Sequence, residues 1–324
     1  MNNVSMGVTD SPKRCLVLGG RGFIGSHLID TLLDQGYLVR CFDRPHVTSL
    51  GHTHLSNPRF ELYEGDLISE ADIAEAMEGC DICYHLVSTT LPKSSNADPI
   101  FDIESNVLGT VRLLNHAVKV GLKKVIFVSS GGTVYGRPIQ LPISETHPTD
   151  PVCSYGITKL AIEKYLHLFH TLYGLDYTVL RLSNPFGERQ RTHASQGAVA
   201  VFLGKVLRNE PVEIWGDGSV TRDYIHIADV VNALLMSLDA SGDTRVFNIG
   251  AGDGLSLNGL LDAIEKVTGR VADRRYLPGR AFDVPESVLC IERARKFLNW
   301  SPKLDFERGL ERFSAWLQLN PGAE

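Results

Sequence analysis

Between the apolar run Cys15–Leu18 and an amphipathic stretch that begins at Gly25 lies Gly19-Gly20-Arg21-Gly22-Phe23-Ile24-Gly25, and no other segment limits the fold so narrowly. Strand, glycine turn and helix follow one another directly. Gly19 allows the tight turn, Gly22 lets a pyrophosphate approach the backbone, and Gly25 lets the helix pack closely on the strand. The helix N-terminus, which includes Phe23 and Ile24, offers amide hydrogens and a partial positive charge to phosphates. A glycine triplet alone also fits a turn with no ligand. The deciding residue is Asp43, at the end of the second apolar run and 18 residues past Gly25. That is close to the roughly 20 expected for a carboxylate on the adenosine ribose hydroxyls. Together these residues predict a dinucleotide site. The Asp43 carboxylate repels the extra phosphate of NADP, so NAD is the expected cofactor, with Arg44 keeping NADP as the alternative.

Downstream the chain alternates strand and helix. Strands are expected at 15–18, 38–42, 60–63, 82–87, 124–129 and 177–182. Helices are expected at 25–35, 70–78, 106–120 and 155–173. This alternation predicts an α/β fold, a doubly wound parallel sheet of the Rossmann kind. Residues 1–13 read as a polar leader and 14–183 as the dinucleotide-binding domain. Residues 184–324 read mainly as a smaller substrate-binding domain, with 229–249 as a candidate return to the first sheet.

Composition removes several classes of function. With 324 residues, 43% hydrophobic and 22% charged, the chain has ordinary globular composition. A net charge of -6 argues against a nucleic-acid or anionic-membrane surface as partner. No apolar run approaches the roughly 20 residues that span a bilayer, and the opening lacks the apolar core of a signal peptide. A cytoplasmic location is expected. Of the six cysteines, Cys80 and Cys83 have CxxC spacing, but no second pair accompanies them. They read as small buried hydrophobes in a reducing compartment. The histidines show no metal-ligand spacing, so no metal is expected.

Tyr155-Gly-Ile-Thr-Lys159 places a phenol and an ammonium four residues apart, on one helix face. On an arbitrary helix this would be a solvated pair. Here it follows a strand ending in Ser129-Ser130, inside a dinucleotide-binding chain, where the pair suits a general base. A nearby ammonium and a cationic nicotinamide would favour the phenolate, and bringing a tyrosine from about 10 to near 7 takes roughly 4 kcal/mol.

GGRGFIGSHL from Gly19, Asp43, GDL at 65–67, HLVS at 85–88, SSGGTVYG at 129–136, YGITK at 155–159, RLSNPFG at 181–187 and WGDGSVTRDYIHIADV at 215–230 occur in the order found in extended short-chain dehydrogenases. The chain most resembles their nucleotide-sugar epimerase and dehydratase branch, across residues 14–302. The resemblance implies adenine contacts at Asp66 and Leu67, and places Asn106 and Ser129 near the nicotinamide. It implies that Lys159 also holds the nicotinamide ribose and that Asn184 contacts substrate. Arg222 and Arg280 are implied to clamp the substrate diphosphate, while Asp229 orients structure. It further implies a homodimer through the helices 106–120 and 155–173.

Three departures from that pattern narrow the reading. The family's Ser or Thr stands four residues before the Tyr of VYG, and that position here is Gly131. On an extended segment Thr133 would face the same way, so Thr133 is the first candidate for the missing hydroxyl; Ser130 is the second and a water the third. The acid pair of the dehydratases is replaced by Gly132 and Thr133, which leaves elimination without an agent. A pocket-narrowing Tyr, four residues after the Asp equivalent to Asp283, is Ser287, which leaves space for an N-acetyl group. The expected activity is NAD-dependent 4-epimerisation of a nucleotide-diphosphate hexose, UDP-glucose/UDP-galactose or their N-acetyl forms, through a 4-keto sugar. An NAD(P)H-dependent 4-ketoreductase of a nucleotide-linked deoxyhexulose is the alternative, and a non-enzymatic NAD-sensing regulator the third reading.

Overall fold

A computed structural model describes residues 12–47, 54–193, 196–279 and 284–320. Its centre is a seven-stranded, all-parallel sheet in the order β11-β6-β5-β4-β1-β2-β3. The first half runs β1 (Arg14–Leu18), α1 (Phe23–Asp34), β2 (Leu38–Asp43), β3 (Phe60–Glu64), α2 (Glu70–Met77) and β4 (Ile82–His85). Two short helices, α3 (Pro92–Ser95) and α4 (Pro99–Asp102), lead into a π-helical segment, Ile103–Leu108, and then α5 (Gly109–Val120). β5 (Lys124–Ser130), α6 (Ser154–Tyr173) and β6 (Asp176–Leu182) complete the alternation. The expected helix 106–120 is thus π-helical at its start, and the fourth strand ends at His85 rather than Val87.

The sheet is buried on both faces, which explains why its strands are near-continuous apolar runs. Leu28, Leu32, Tyr84, Ile126, Leu180, Val230 and Trp300 belong to the core on one face. Leu16, Phe42, Ile73, Leu114, Phe127, Ile162 and Leu166 belong to the other. Gly121 and Gly174 end α5 and α6 in the left-handed conformation, at φ 70° and 72°.

Beyond β7 (Asn184–Phe186) come α7 (Ala198–Leu207), β8 (Val212–Trp215), β9 (Thr221–Arg222), β10 (Tyr224–His226) and α8 (Ile227–Met236). They are followed by β11 (Val246–Ile249), β12 (Leu255–Ser256), α9 (Leu257–Thr268), β13 (Arg274–Leu277), β14 (Glu286–Ser287), α10 (Glu292–Leu298) and α11 (Phe306–Leu319). β11 pairs with β6 at the edge of the large sheet, and α8 packs against α1. A separate core, with Phe186, Leu203, Ile214, Leu260, Leu310 and Phe313, lies under α7, α9 and α11. Asp229 has a structural position: its carboxylate accepts from the amides of Lys303 at 2.9 Å and Leu304 at 3.1 Å.

The chain order reverses between β1 and β4, so the crevice at their C-terminal ends is the topological switch point where such sheets bind ligands. Cys80 and Cys83 are buried free thiols; burial raises Cys80 to about 11 and holds Cys83 well above its ordinary value. Among the described residues no group of three potential ligands could hold a metal. No described helix is long and apolar enough to cross a membrane.

Candidate active site

A cleft of about 760 Å³ opens at this switch point. Gly19, Gly22, Phe23, Ile24, Asp43, Asp66, Leu67, Ser129, Ser130, Thr133, Tyr155, Asn184 and Arg222 all line it. Gly25, Asn106, Lys159 and Ser287 are not among the lining residues, and Arg280 lies outside the described residues, as does Asp283.

The glycine loop is shaped by contact. Gly19 has φ 79°, a left-handed turn that favours glycine. A Cβ on Gly25 would lie 2.3 Å from the Gly19 carbonyl oxygen and 2.7 Å from Gly20 Cα, so helix and turn touch backbone to backbone. Gly22 is the N-cap of α1 and has no side chain to cover the helix end. Asp43 closes the loop from β2: its Oδ2 accepts from the Arg21 amide at 3.0 Å and its Oδ1 from the Arg44 amide at 2.9 Å. An uncovered helix N-terminus beside a cleft-lining carboxylate fits a dinucleotide, with amides for its phosphates and Asp43 for a ribose.

Tyr155 sits on the first turn of α6, whose amides are capped from a distance. Ser154 N donates to Asn96 Oδ1 at 2.9 Å, and Tyr155 N to Ser95 Oγ at 3.0 Å. Asx and Ser caps satisfy donors that a helix start leaves free. Ser88 acts on the phenol in the direction that favours ionisation, and its Oγ donates to the Thr90 carbonyl at 3.1 Å. Burial pushes the phenol up to about 12, opposite to the direction expected from Lys159. The physical reason is the ammonium's position. Lys159 Nζ donates to the Val128 carbonyl at 3.0 Å and lies 5.7 Å from the Tyr155 ring centroid, under the phenol rather than bonded to it. Burial also lowers Lys159 to about 8.

Thr133 does not lie on an extended segment, contrary to the expectation from the sequence. Gly131–Tyr135 is a turn, with Thr133 N and Val134 N both donating to the Ser130 carbonyl, at 3.2 and 3.1 Å. Thr133 nevertheless lines the cleft, and its buried Oγ1 has no hydrogen-bond partner. Unpartnered buried hydroxyls are rare and signal a missing ligand or a functional role. Ser130 lines the same cleft, at the end of β5.

Other candidates bond away from the cleft. Ser129 Oγ donates to Glu163 Oε1 at 2.6 Å, within a buried pair in which Arg181 Nη2 meets Glu163 Oε2 at 2.6 Å. Asn106 is buried and holds the loop after β4, accepting from Thr89 N at 3.0 Å. Asn184 Nδ2 donates to the Asp223 carbonyl at 2.9 Å. Ser287 is buried on β14 in register with Arg222 on β9. Ser88 and Thr89 were not singled out from the sequence, although HLVS ends a strand at the switch point. That position was the available signal.

A doubly wound sheet with a glycine loop, an acidic second-strand end and a Tyr–Lys pair at its switch point defines an extended short-chain dehydrogenase. The chain belongs to the NAD dependent epimerase/dehydratase family, whose sequence profile matches residues 15–250. It is 36% identical to a UDP-glucose 4-epimerase of Mycolicibacterium smegmatis over 306 residues, 92% of this chain and 96% of that one. Among solved structures it is similar to a UDP-glucose 4-epimerase of Thermotoga maritima with UDP-glucose, at 36% identity and TM-score 0.89, covering 95% and 99% of the two chains. It is likewise similar to a UDP-N-acetylglucosamine 4-epimerase of Methanobrevibacter ruminantium, at 29% identity and TM-score 0.89, covering 96% and 100%.

Proposed function

We propose that this protein is an NAD-dependent 4-epimerase of nucleotide-diphosphate hexoses, acting on UDP-glucose and UDP-galactose or their N-acetyl forms. The observation that carries the reading is the pairing of Tyr155 with the unpartnered Thr133 hydroxyl on one cleft, next to the Gly19–Gly25 loop and Asp43. Tyr155 takes the proton of the 4-hydroxyl, and Thr133 donates to the C4 oxygen. Gly19, Gly22, Phe23, Ile24 and Gly25 carry the pyrophosphate, Asp43 the adenosine ribose, and Asp66 and Leu67 the adenine. When bound, NAD would supply reversible hydride transfer at C4, taking the hydride on oxidation and giving it back on reduction, and a positive charge that favours the phenolate.

In the structure the phenol stands at about 12, so ionising it near pH 7 takes roughly 7 kcal/mol. Lys159 contributes an ammonium under the ring. Arg222, with Arg280, holds the diphosphate and keeps the keto sugar tethered while it turns; Asn184, which lines the same cleft, contacts the substrate. Tyr155 then returns its proton, and C4 is inverted. Most of the binding energy resides in the nucleotide diphosphate, which does not react.

The exposed face of α6 supports a homodimer. Ile157, Leu168 and Leu172 are exposed on it, as is Leu108 before α5. Apolar residues repeated along one helix face mark an interface. Six free thiols, four of them buried, support a cytoplasmic location. Tyr155→Phe tests the function. It is expected to abolish interconversion of UDP-galactose and UDP-glucose while leaving NAD bound, and undiminished turnover would overturn the assignment.

A further inference from the structure

Asp102, the last residue of α4, is 0% exposed, yet it is surrounded by donors from three other segments. Its Oδ1 accepts from Thr90 Oγ1 in the loop after β4 and from Asn106 Nδ2 at 2.9 Å in the π-helical segment. Its Oδ2 accepts from Ser154 Oγ at 2.6 Å and, at 3.4 Å, shares the Thr158 hydroxyl with the Tyr155 carbonyl, which lies 3.0 Å from Thr158 Oγ1. Ser154 immediately precedes Tyr155, and Thr158 immediately precedes Lys159. Four donors converge on the two oxygens, which matches the acceptor capacity of a carboxylate. A carboxylate enclosed this fully costs solvation that no surface residue would incur, so its position calls for an explanation beyond helix capping.

We infer that Asp102 is a positioning residue: its buried carboxylate fixes the start of α6 through Ser154 and Thr158, and with it the placement of Tyr155 and Lys159. The inference rests on the epimerase reading, in which those two groups do the chemistry.

The geometry gives Asp102 two separable effects. Ser154 and Thr158 each stand one residue before a member of the pair, so their bonds to Asp102 set where both side chains start. The negative charge acts on both groups in the same direction, holding protons on the phenol and on the ammonium. Few other ionisable groups face them. Tyr155 meets Ser88 and Cys153 besides Asp102. Lys159 meets Glu163 on its own helix, His85 on β4 and the Phe127 ring on β5. His85 is held neutral, pushed down to about 3 by burial, and Glu163 is already paired with Arg181. Among the described residues Asp102 is the buried carboxylate that acts on both groups, while burial remains the larger influence on each.

Asp102→Asn keeps the shape and removes the charge, because the Ser and Thr hydroxyls can turn to accept from the new amide. In the variant, both limbs of the kcat–pH profile are expected to move to lower pH by about one unit. The acid limb moves because the phenol ionises more readily, and the alkaline limb because Lys159 loses its proton sooner. With NAD bound, the phenolate absorbance of Tyr155, read as the difference from Tyr155→Phe, is expected to shift in the same direction; this readout needs no turnover. The double variant Ser154→Ala/Thr158→Val keeps the charge and removes two bonds. It is expected to lower kcat several-fold with an unshifted profile and KM for UDP-galactose within about twofold. Unmoved limbs and an unmoved phenolate titration in Asp102→Asn would overturn the electrostatic half. Wild-type kcat in the double variant would overturn the positioning half, and it decides alone if Asp102→Asn does not fold. A wild-type enzyme that turns over no nucleotide sugar would count against the epimerase reading, with the phenolate titration still able to judge Asp102.

Discussion

Leu289 occupies the space that a side chain at Gly131 would fill: a Cβ on Gly131 would lie 2.6 Å from Leu289 Cδ1 and 3.2 Å from the Leu182 carbonyl oxygen. The missing family hydroxyl is thus a repacked site rather than a vacancy. Leu289 is 1% exposed and packs with Val134, Tyr135 and Ile143 beneath the cleft.

Gly131→Ser is therefore expected to destabilise the protein by about 1–3 kcal/mol, the usual range for overpacking, and not to raise turnover. Combined with Leu289→Ala, the serine should cost less than the sum of the two single changes. Chemical denaturation of the four proteins measures this coupling; additive losses would contradict the account.

Thr133→Val separates function from stability. The valine is nearly isosteric and removes a buried hydroxyl with no partner, so stability stays level or rises. Turnover is expected to fall by about tenfold or more, the scale of one lost hydrogen bond to the reacting oxygen. Denaturation and steady-state kinetics on the same preparation test both halves. A near-normal rate would move the role to Ser130.

Gly25→Ala should empty the cofactor site. Its methyl group would meet backbone atoms at 2.3 and 2.7 Å, which cannot move aside as a flexible side chain can. NAD released from the purified variant by denaturation is expected to be at least tenfold below wild type. Full occupancy would show that the turn tolerates the displacement.

Lys159, lowered to about 8 by burial, predicts an alkaline limb in kcat near that pH. The sign excludes unfolding as the cause. The folded chain gives up this proton more readily than the unfolded one, whose lysine titrates near 10.5. Between about pH 8 and 10.5 the unfolded state binds more protons, so the contribution of this group to stability rises with pH. A falling kcat with a steady melting temperature is expected across that window. A rate that stays flat to pH 10 would count against Lys159 as the titrating group.

Much of the fold could be read from local pattern. The glycine loop, the strand–helix alternation and Asp43 are short-range signals; the alternation appears in the expected order, with the fourth strand shorter and the helix at 106–120 π-helical at its start. The site was legible only in part, because its remaining geometry depends on contacts distant in the chain. Ser154 reaches Asp102 across 52 positions and Tyr155 N reaches Ser95 across 60. Likewise, the space beside Gly131 is filled by Leu289, 158 positions away in the chain, which no local propensity encodes. Direction of charge was also hidden. Spacing alone put Lys159 beside Tyr155, but burial and the Val128 carbonyl determine what the ammonium does.

The most direct test incubates the purified protein with UDP-galactose and adds no cofactor. The account predicts that UDP-glucose accumulates to equilibrium, and that denaturing the protein afterwards releases about one NAD per chain. No interconversion, together with steady oxidation of added NAD(P)H by a nucleotide-linked 4-keto-deoxy sugar, would contradict it and identify a reductase.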